Sequence, residues 1–370
     1  MKVILFRDNL KDGLSAAEKA VSENSTLPIL KNILLKTSNN KIKLITTNLE
    51  LAVTKSISGK IIEEGSLTVP FNTFYGIVNN TNHDRINLEK KENNFIFKTD
   101  NYEAKIQGVY EDDFPIIPKL ENIETFIEIE PLILKEAISK VVNAAQISDI
   151  RPEISGVLFD FQTTILKLVA TDSFRLAEKT LNSNQFSHNF DRSFKVIIPL
   201  KTIQEIIKIF PNDQSVKISL DNSQILFRNN DVEVISRLID GNYPDYEQII
   251  PKEIETEVII NKDHFINSIK LVSNFSGKTN DIRLAIRNNQ KTLEVYSVNQ
   301  LLGENNYLIP AKVKGPDFEG IAFNWRYLLD GLRIINGENI VFGGNGPNRP
   351  AIIKSLEDKT HFYILMPIRT

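Results

Sequence analysis

The chain has no cysteine, so disulfides, thiolate metal sites and cysteine nucleophiles are excluded together. Histidine is scarce: His83, His188, His264 and His361 stand far apart, without the spacing of metal ligands. No apolar run approaches the ~18–20 residues needed to span a bilayer. The opening MKVILFRDNLKDG is a short apolar stretch followed by charges, lacking the long apolar segment and small-residue cleavage site of a secretory signal. A cytoplasmic location is the expectation, and the sequons at Asn24 and Asn79 are read as incidental. An excess of positive charge is missing too: 44 Lys and Arg against 47 Asp and Glu leave a net charge of −3. Tight nucleic-acid binding usually requires a basic chain. Nucleic acid is therefore either absent from the function or met loosely by a local basic face.

Catalytic signatures are equally thin. No GxSxG elbow occurs. The stretch Gly343-Gly-Asn-Gly-Pro is followed by no Lys-Ser/Thr pair, so it is not a phosphate loop. Asp112 with Asp113, and Asp240 with Asp245, could hold a cation, but each pair sits beside a Phe-Pro or Tyr-Pro turn where Asp is expected structurally. A metal-dependent hydrolase built on these turns would want for ligands. The expectation is a non-catalytic protein with no cofactor and no metal.

What the sequence does contain is one pattern written three times. Residues 41–53 read KIKLITTNLELAV, residues 165–177 ILKLVATDSFRLA, and residues 292–304 TLEVYSVNQLLGE. They lie roughly 125 residues apart, about one domain each. Shared context follows each copy: Pro70 precedes FNTFYGIVNN, Pro199 precedes LKTIQEIIKIF, and Asn324 precedes WRYLLDGLRII. DDFPIIP at 112–118 is echoed by NYPDYEQIIP at 242–251. A soluble chain of 370 residues, 41% hydrophobic and 25% charged, thus divides into three copies of one fold. The boundaries read 1–121, 124–252 and 255–370, with the short joints PKLENIETF and PKEIETEV between them.

Each copy holds two helical patterns. The first lies near 8–23, 131–146 and 262–275, with Leu10, Leu14, Ala17 and Val21 on one stripe. Leu134, Ile138, Val141 and Ala145 form the second copy's stripe, and Phe265, Ile269 and Val272 the third's. The other helices carry Phe71, Phe74 and Val78, then Leu200, Ile203 and Ile207, then Trp325, Leu328 and Leu332. Alternating runs such as NNFIFKTD, NSQILFRNND and RPAIIKSLED read as antiparallel hairpins. The fold class is therefore α+β, with two helices packed on one face of an antiparallel sheet in each copy. The outer helix faces carry Lys11, Lys19, Lys135, Lys140, Lys201, Lys208 and Lys270 among acidic residues, a pattern that also suits a merely solvated surface.

Two features stand apart. Thr171-Asp-Ser-Phe-Arg-Leu-Ala sets an Arg among apolar groups at the end of a strand. The terminus, Tyr363-Ile-Leu-Met-Pro-Ile-Arg-Thr370, is apolar where ends are usually polar. Together with the threefold repeat, TLPIL at 26–30, LIDGNYPDYEQIIP, FNWRYLLDGL and MPIRT, they make the whole chain resemble the bacterial DNA polymerase III beta subunit, the sliding clamp. The resemblance implies three tandem clamp domains and a head-to-tail homodimeric ring of six domains around duplex DNA, bound without sequence specificity. It also implies a groove between the second and third domains that takes linear peptides. Those would come from the replicative polymerase, the clamp loader, repair polymerases, ligase and mismatch-repair proteins; no membrane is involved.

Carried over by motif, the groove comprises Ile154, Thr171, Ser173, Phe174, Arg175, Leu176, Pro244, Ile249, Asn324, Tyr327, Asn348, Pro350, Met366, Pro367, Ile368 and Arg369. DNA would meet Lys201 foremost, with Lys208, Lys11, Lys135 and Lys140. The dimer would bring Ala104 and Ile106 near Leu271 and Val272. The chain departs from the family's pattern at Phe174, where His or Tyr is frequent, and at Gln248, where Arg is. It departs again at Thr370, at Asn24-Ser25 before TLPIL, and at Asn72-Thr73. A peptide-binding scaffold of the same repeats, with no DNA inside, is the alternative.

Overall fold

A computed structural model describes residues 1–22, 26–38, 40–287 and 290–369; Asn24, Ser25 and Thr370 lie outside the described residues. Six α-helices occur among them: α1 (Arg7–Ala17), α2 (Phe71–Asn80), α3 (Pro131–Val141), α4 (Leu200–Ile209), α5 (Lys262–Val272) and α6 (Trp325–Ile334). They form where the apolar stripes predict. Leu10, Leu14, Ala17, Leu134, Ile138, Phe265 and Ile269 are all buried. The first helix of each pair stops short of its expected end, because each passes into a 3₁₀ turn, at Glu18–Ala20, Val142–Ala144 and Ser273–Phe275. The tighter turn leaves the stripe in contact with the core while ending the α ladder. That the same device recurs at all three positions is structural evidence for the repeat.

The chain divides into two compact units. One comprises residues 1–133, 186–190 and 204–238 and holds two sheets. The five-stranded sheet runs Lys60–Glu63, Lys2–Phe6, Arg85–Lys91, Asn94–Lys98, Glu103–Gln107. The nine-stranded sheet runs Phe186–His188, Ile127–Ile129, Val216–Leu220, Gln224–Arg228, Val232–Arg237, Leu51–Ile57, Lys41–Thr47, Asn32–Ser38, Ser66–Pro70. The core of the first repeat lies between these sheets and α1 and α2. There Phe74 packs edge-on to Phe95, ring centroids 5.1 Å apart, beside Leu14, Leu44 and Phe97. Full burial of a side chain such as Phe74 contributes about 1.5–3 kcal/mol.

The other unit comprises residues 134–185, 191–203 and 239–370. Its single twelve-stranded sheet runs Phe194–Pro199, Gly156–Phe161, Ile165–Thr171, Arg175–Asn182, His361–Leu365, Ala351–Ser355, Asn339–Gly344, Thr256–Asn261, Gly303–Lys314, Thr292–Asn299, Asp281–Arg287, Ile321–Asn324. Every pairing in the three sheets is antiparallel. The units follow the sheets rather than the sequence repeats. The last strand of the second repeat, Val232–Arg237, pairs with Leu51–Ile57 of the first, and the last strand of the third, His361–Leu365, pairs with Arg175–Asn182 of the second. Each of these repeats thus lends a strand to the one before it.

Candidate functional site

The Thr171–Leu176 turn is built by its own side chains. Asp172 Oδ1 accepts the amides of Phe174 and Arg175, both at 3.0 Å, while the Thr171 hydroxyl donates to the Arg175 carbonyl at 2.7 Å. Ser173 is forced to φ = 77°, a conformation uncommon outside glycine. That backbone turns Phe174 outward, leaving its side chain 61% exposed. The same construction appears in the first repeat, where Asn48 Oδ1 accepts from Glu50 and Leu51 and Leu49 has φ = 76°.

Beneath the turn, the Arg175 guanidinium donates to Asp172 at 2.8 Å and to Asp330 at 2.6 Å, and lies over the Tyr327 ring at 4.3 Å. Burial, then the negative charge of Asp172, pushes the Tyr327 phenol up, so it stays a neutral donor. α6 opens with Asn324, whose side chain accepts the Arg326 amide at 3.0 Å as an N-cap. Gly331 brings α6 against the terminal strand: a Cβ there would sit 2.4 Å from the buried Tyr363 ring. The tail leaves the sheet after Leu365 and is pinned twice, by the Met366 amide on the Phe174 carbonyl and the Ile368 amide on the Ala322 carbonyl, both 2.8 Å.

The result is a groove of about 480 Å³ lined by Ser173, Phe174, Asn324, Tyr327, Met366, Pro367, Ile368 and Arg369. All eight are among the residues the resemblance nominates. The other eight serve differently. Ile154, Thr171 and Leu176 are buried; Leu176 packs with Val169, Tyr246, Ile352 and Ile364 and supports the sheet instead of offering a wall. Arg175, with 11% of its side chain exposed, is spent on its two aspartates. Pro244, Ile249, Asn348 and Pro350 reach the surface but do not line this groove. Arg151, which motif reading passed over, donates to the Ser173 hydroxyl at 3.0 Å at the groove's edge while its charge is paired with Glu153, also at 3.0 Å. No local sequence signal marks it, because the contact joins residues 22 apart.

The lysines differ in kind. Lys11, Lys201 and Lys208 are exposed, though Lys208 lies 3.2 Å from both oxygens of Glu205. Lys135 is half-buried, and desolvation lowers its pKa. Lys140 corrects the expectation: it is buried and donates to the Ile334 carbonyl and, at 2.6 Å, to Asn336, at the C-terminal end of α6. Its charge is held by the negative end of that helix and is not presented to a partner. Its backbone carbonyl meets buried His361 at 3.2 Å. Burial, then the charge on Lys140, pushes the His361 pKa down to about 4.

The four interface residues also separate. Leu271 is 56% exposed and its helix neighbour Val272 is buried, since successive residues of a helix point to different sides; Ala104 and Ile106 share one face of their strand, turned to the core of the first repeat, where Ile106 is buried and Ala104 half-buried. The third repeat also exposes Val298, Leu301 and Leu302. Among the described residues no group of three or more His, Asp or Glu could hold a metal ion, and no helix is long and apolar enough to cross a membrane.

Family models of the DNA polymerase III beta subunit match the chain end to end: the N-terminal domain at residues 1–118, the central domain at 128–245 and the C-terminal domain at 247–369. The Beta sliding clamp of Bacillus subtilis is 29% identical over 383 aligned residues, covering 100% of both chains. That of Streptococcus pneumoniae is 29% identical over 371, covering 96% of each. Among solved structures, a DNA polymerase sliding clamp from Bacillus subtilis superimposes with a TM-score of 0.94 at 28% identity, covering 100% of this chain and 99% of that one. The DNA polymerase III subunit beta from Pseudomonas aeruginosa gives 0.94 at 25% identity, covering 100% of both.

Proposed function

The chain belongs to the DNA polymerase III beta-subunit family and is a DNA sliding clamp, a non-catalytic processivity factor, and on that premise we propose how its surfaces divide the work. Its three clamp domains span 1–121, 124–252 and 255–370, and two copies meet head to tail as a ring around duplex DNA in the cytoplasm. The observation that carries this reading is the lending of strands. At the first join the Arg237 amide bonds the Glu50 carbonyl at 2.9 Å; at the second, the Met366 amide bonds the Phe174 carbonyl at 2.8 Å. Two positions in this scheme are left over. The first repeat's last strand, Glu103–Gln107, stands at an open sheet edge. In the third repeat, the front of Gly303–Lys314 pairs on one side only. Each supplies what the other lacks. Continuing the register of the two internal joins brings the Gln107 amide to the Leu301 carbonyl of another copy, beside Leu271. Such a heterologous contact closes after two copies.

The groove takes short linear peptides by burying apolar anchors between Phe174, Met366 and Ile368, with Asn324 and Arg369 holding the peptide backbone. The replicative polymerase, clamp loader, repair polymerases, ligase and mismatch-repair proteins are the partners proposed for it. DNA meets Lys201, Lys208, Lys11 and Lys135. A net charge of −3 suits this role. Phosphate contacts bind through counterion release, and many of them would stall sliding. Retention then comes from enclosure. The test is to load the protein onto nicked circular DNA with a clamp loader and then linearise the DNA. Retention on the circle and loss from the linear form support the clamp reading. Equal retention on both, or loading on neither, would favour a peptide scaffold without encirclement.

A further inference from the structure

At one corner of the five-stranded sheet the edge strand ends early. Lys60–Glu63 pairs with Lys2–Phe6 only as far as Lys60 opposite Ile4, and the chain then turns away through Ser58 and Gly59. Lys2–Phe6 continues, with Phe6 opposite Arg85 on its other side. There the Arg7 amide bonds the Asp84 carbonyl at 2.8 Å. In an antiparallel ladder that bond makes Phe6 and Arg85 a non-hydrogen-bonded pair, so the Phe6 N–H faces the side that Lys60–Glu63 has vacated, while its C=O, at the N-cap of α1, accepts the helix's first bond. The notch is about 480 Å³ and holds the Phe6 side chain, 67% exposed, at its rim. Gly59 lets the turn lie close on the core at its floor: a Cβ there would meet Leu5 at 2.4 Å and Ile42 at 2.8 Å.

Its charges are of one sign. Lys60 and Arg85 are the charged residues of the lining, both exposed, and neither forms an ion pair with a described residue. Neighbouring cations are engaged: Lys2 lies 3.8 Å from Glu89, and Arg7 lies 3.8 Å from Asp8 and bonds the carbonyls of Val78 and Asn79. An open backbone amide, an apolar hollow and two unmatched cations therefore coincide. We propose that this corner of the first repeat docks an extended acidic peptide segment, which places a backbone carbonyl on the free Phe6 N–H, seats an apolar side chain over Ile4 and Gly59, and sets carboxylates at Lys60 and Arg85. Single-stranded nucleic acid fits less well. Two cations and one exposed ring make a poor track for a phosphate backbone, which cannot exchange amide bonds with a strand edge.

The test uses the full chain and a fluorescein-labelled peptide of alternating aspartate and leucine, followed by anisotropy. Binding should weaken with salt, and at least tenfold in the Lys60→Glu, Arg85→Glu double variant and in Phe6→Ala. It should be unchanged by deleting residues 366–370, which removes one side of the groove near Phe174. A lysine–leucine peptide should bind weakly. All three substituted side chains are exposed, and circular dichroism checks that the variants fold. Binding insensitive to charge reversal, binding abolished only by the terminal deletion, or equal binding of a thymidine oligonucleotide would each overturn the proposal.

Discussion

Leu176→Ala would hollow out a site where Val169, Tyr246 and Ile364 converge on a side chain with no exposed surface. Leu→Ala at such positions costs about 3 kcal/mol. The expected outcome is a lower urea midpoint at unchanged slope, and loss of peptide binding only in proportion to unfolding. A second residue effect comes from His361, which is buried among Lys140, Lys179 and Asp358. Its folded pKa of about 4 lies below the ordinary 6.5, so the folded state binds a proton less readily than the unfolded chain. The associated stability is complete above pH ~6.5 and lost as pH falls toward 4, by about 3 kcal/mol at most. Urea titrations between pH 7 and 4 should show the decline, and His361→Asn should flatten it. Motif reading named Leu176, Arg175 and Lys140 by kinship of position, but it had no access to which way each side chain turns. Leu176 and Lys140 are enclosed by residues far away in sequence, and Arg175 is claimed by Asp330, 155 positions on.

The elements were more legible than the residues, because periodicity survives where individual contacts do not show. Helix stripes, the hairpins and the start of each second helix at Pro70, Pro199 and Asn324 all follow from local pattern. The 3₁₀ endings were not legible, since an apolar residue at Val21 or Ala145 fits either helix type. The terminal segment permits a clean separation of roles. Its strand ends at Leu365, and residues 366–369 only cross the groove. Deleting residues 366–370 should leave the melting transition nearly in place while peptide affinity falls at least tenfold, measured by calorimetry with a polymerase-derived peptide. On α4, Lys201→Glu should reduce the log–log salt slope of DNA association by about 0.9. Lys208→Glu should do less, because Glu205 already shares that charge. An unchanged slope in Lys201→Glu would move the DNA path elsewhere.

At the scale of the molecule, three tandem repeats could be read from the spacing of short motifs, but the exchange of strands between them could not. Pairing partners 183 residues apart, such as Ala52 with Ile235, leave no mark on local composition. Leu271→Asp tests the join between copies without touching a core, as the side chain is 56% exposed. Light scattering at micromolar concentration should show the mass fall from about 84 kDa, twice 42.1 kDa, to that of a single chain. Val272→Asp, by contrast, should unfold the third repeat, since it places a charge where 1% of the side chain is exposed.

The strand left over at Glu103–Gln107 has a further consequence. A chain whose first and third repeats each offer one half of such a join is a monomer in the polymer chemist's sense, carrying two complementary sticky patches. Whether such units make a closed pair or a filament depends only on whether the turn per repeat brings the ends back together. Substitutions that tilt one repeat against the next, with every contact still intact, would therefore not dissolve the assembly. They would turn it into fibres whose length grows with concentration, and a gel or a viscous solution would report the fault before any loss of folding did.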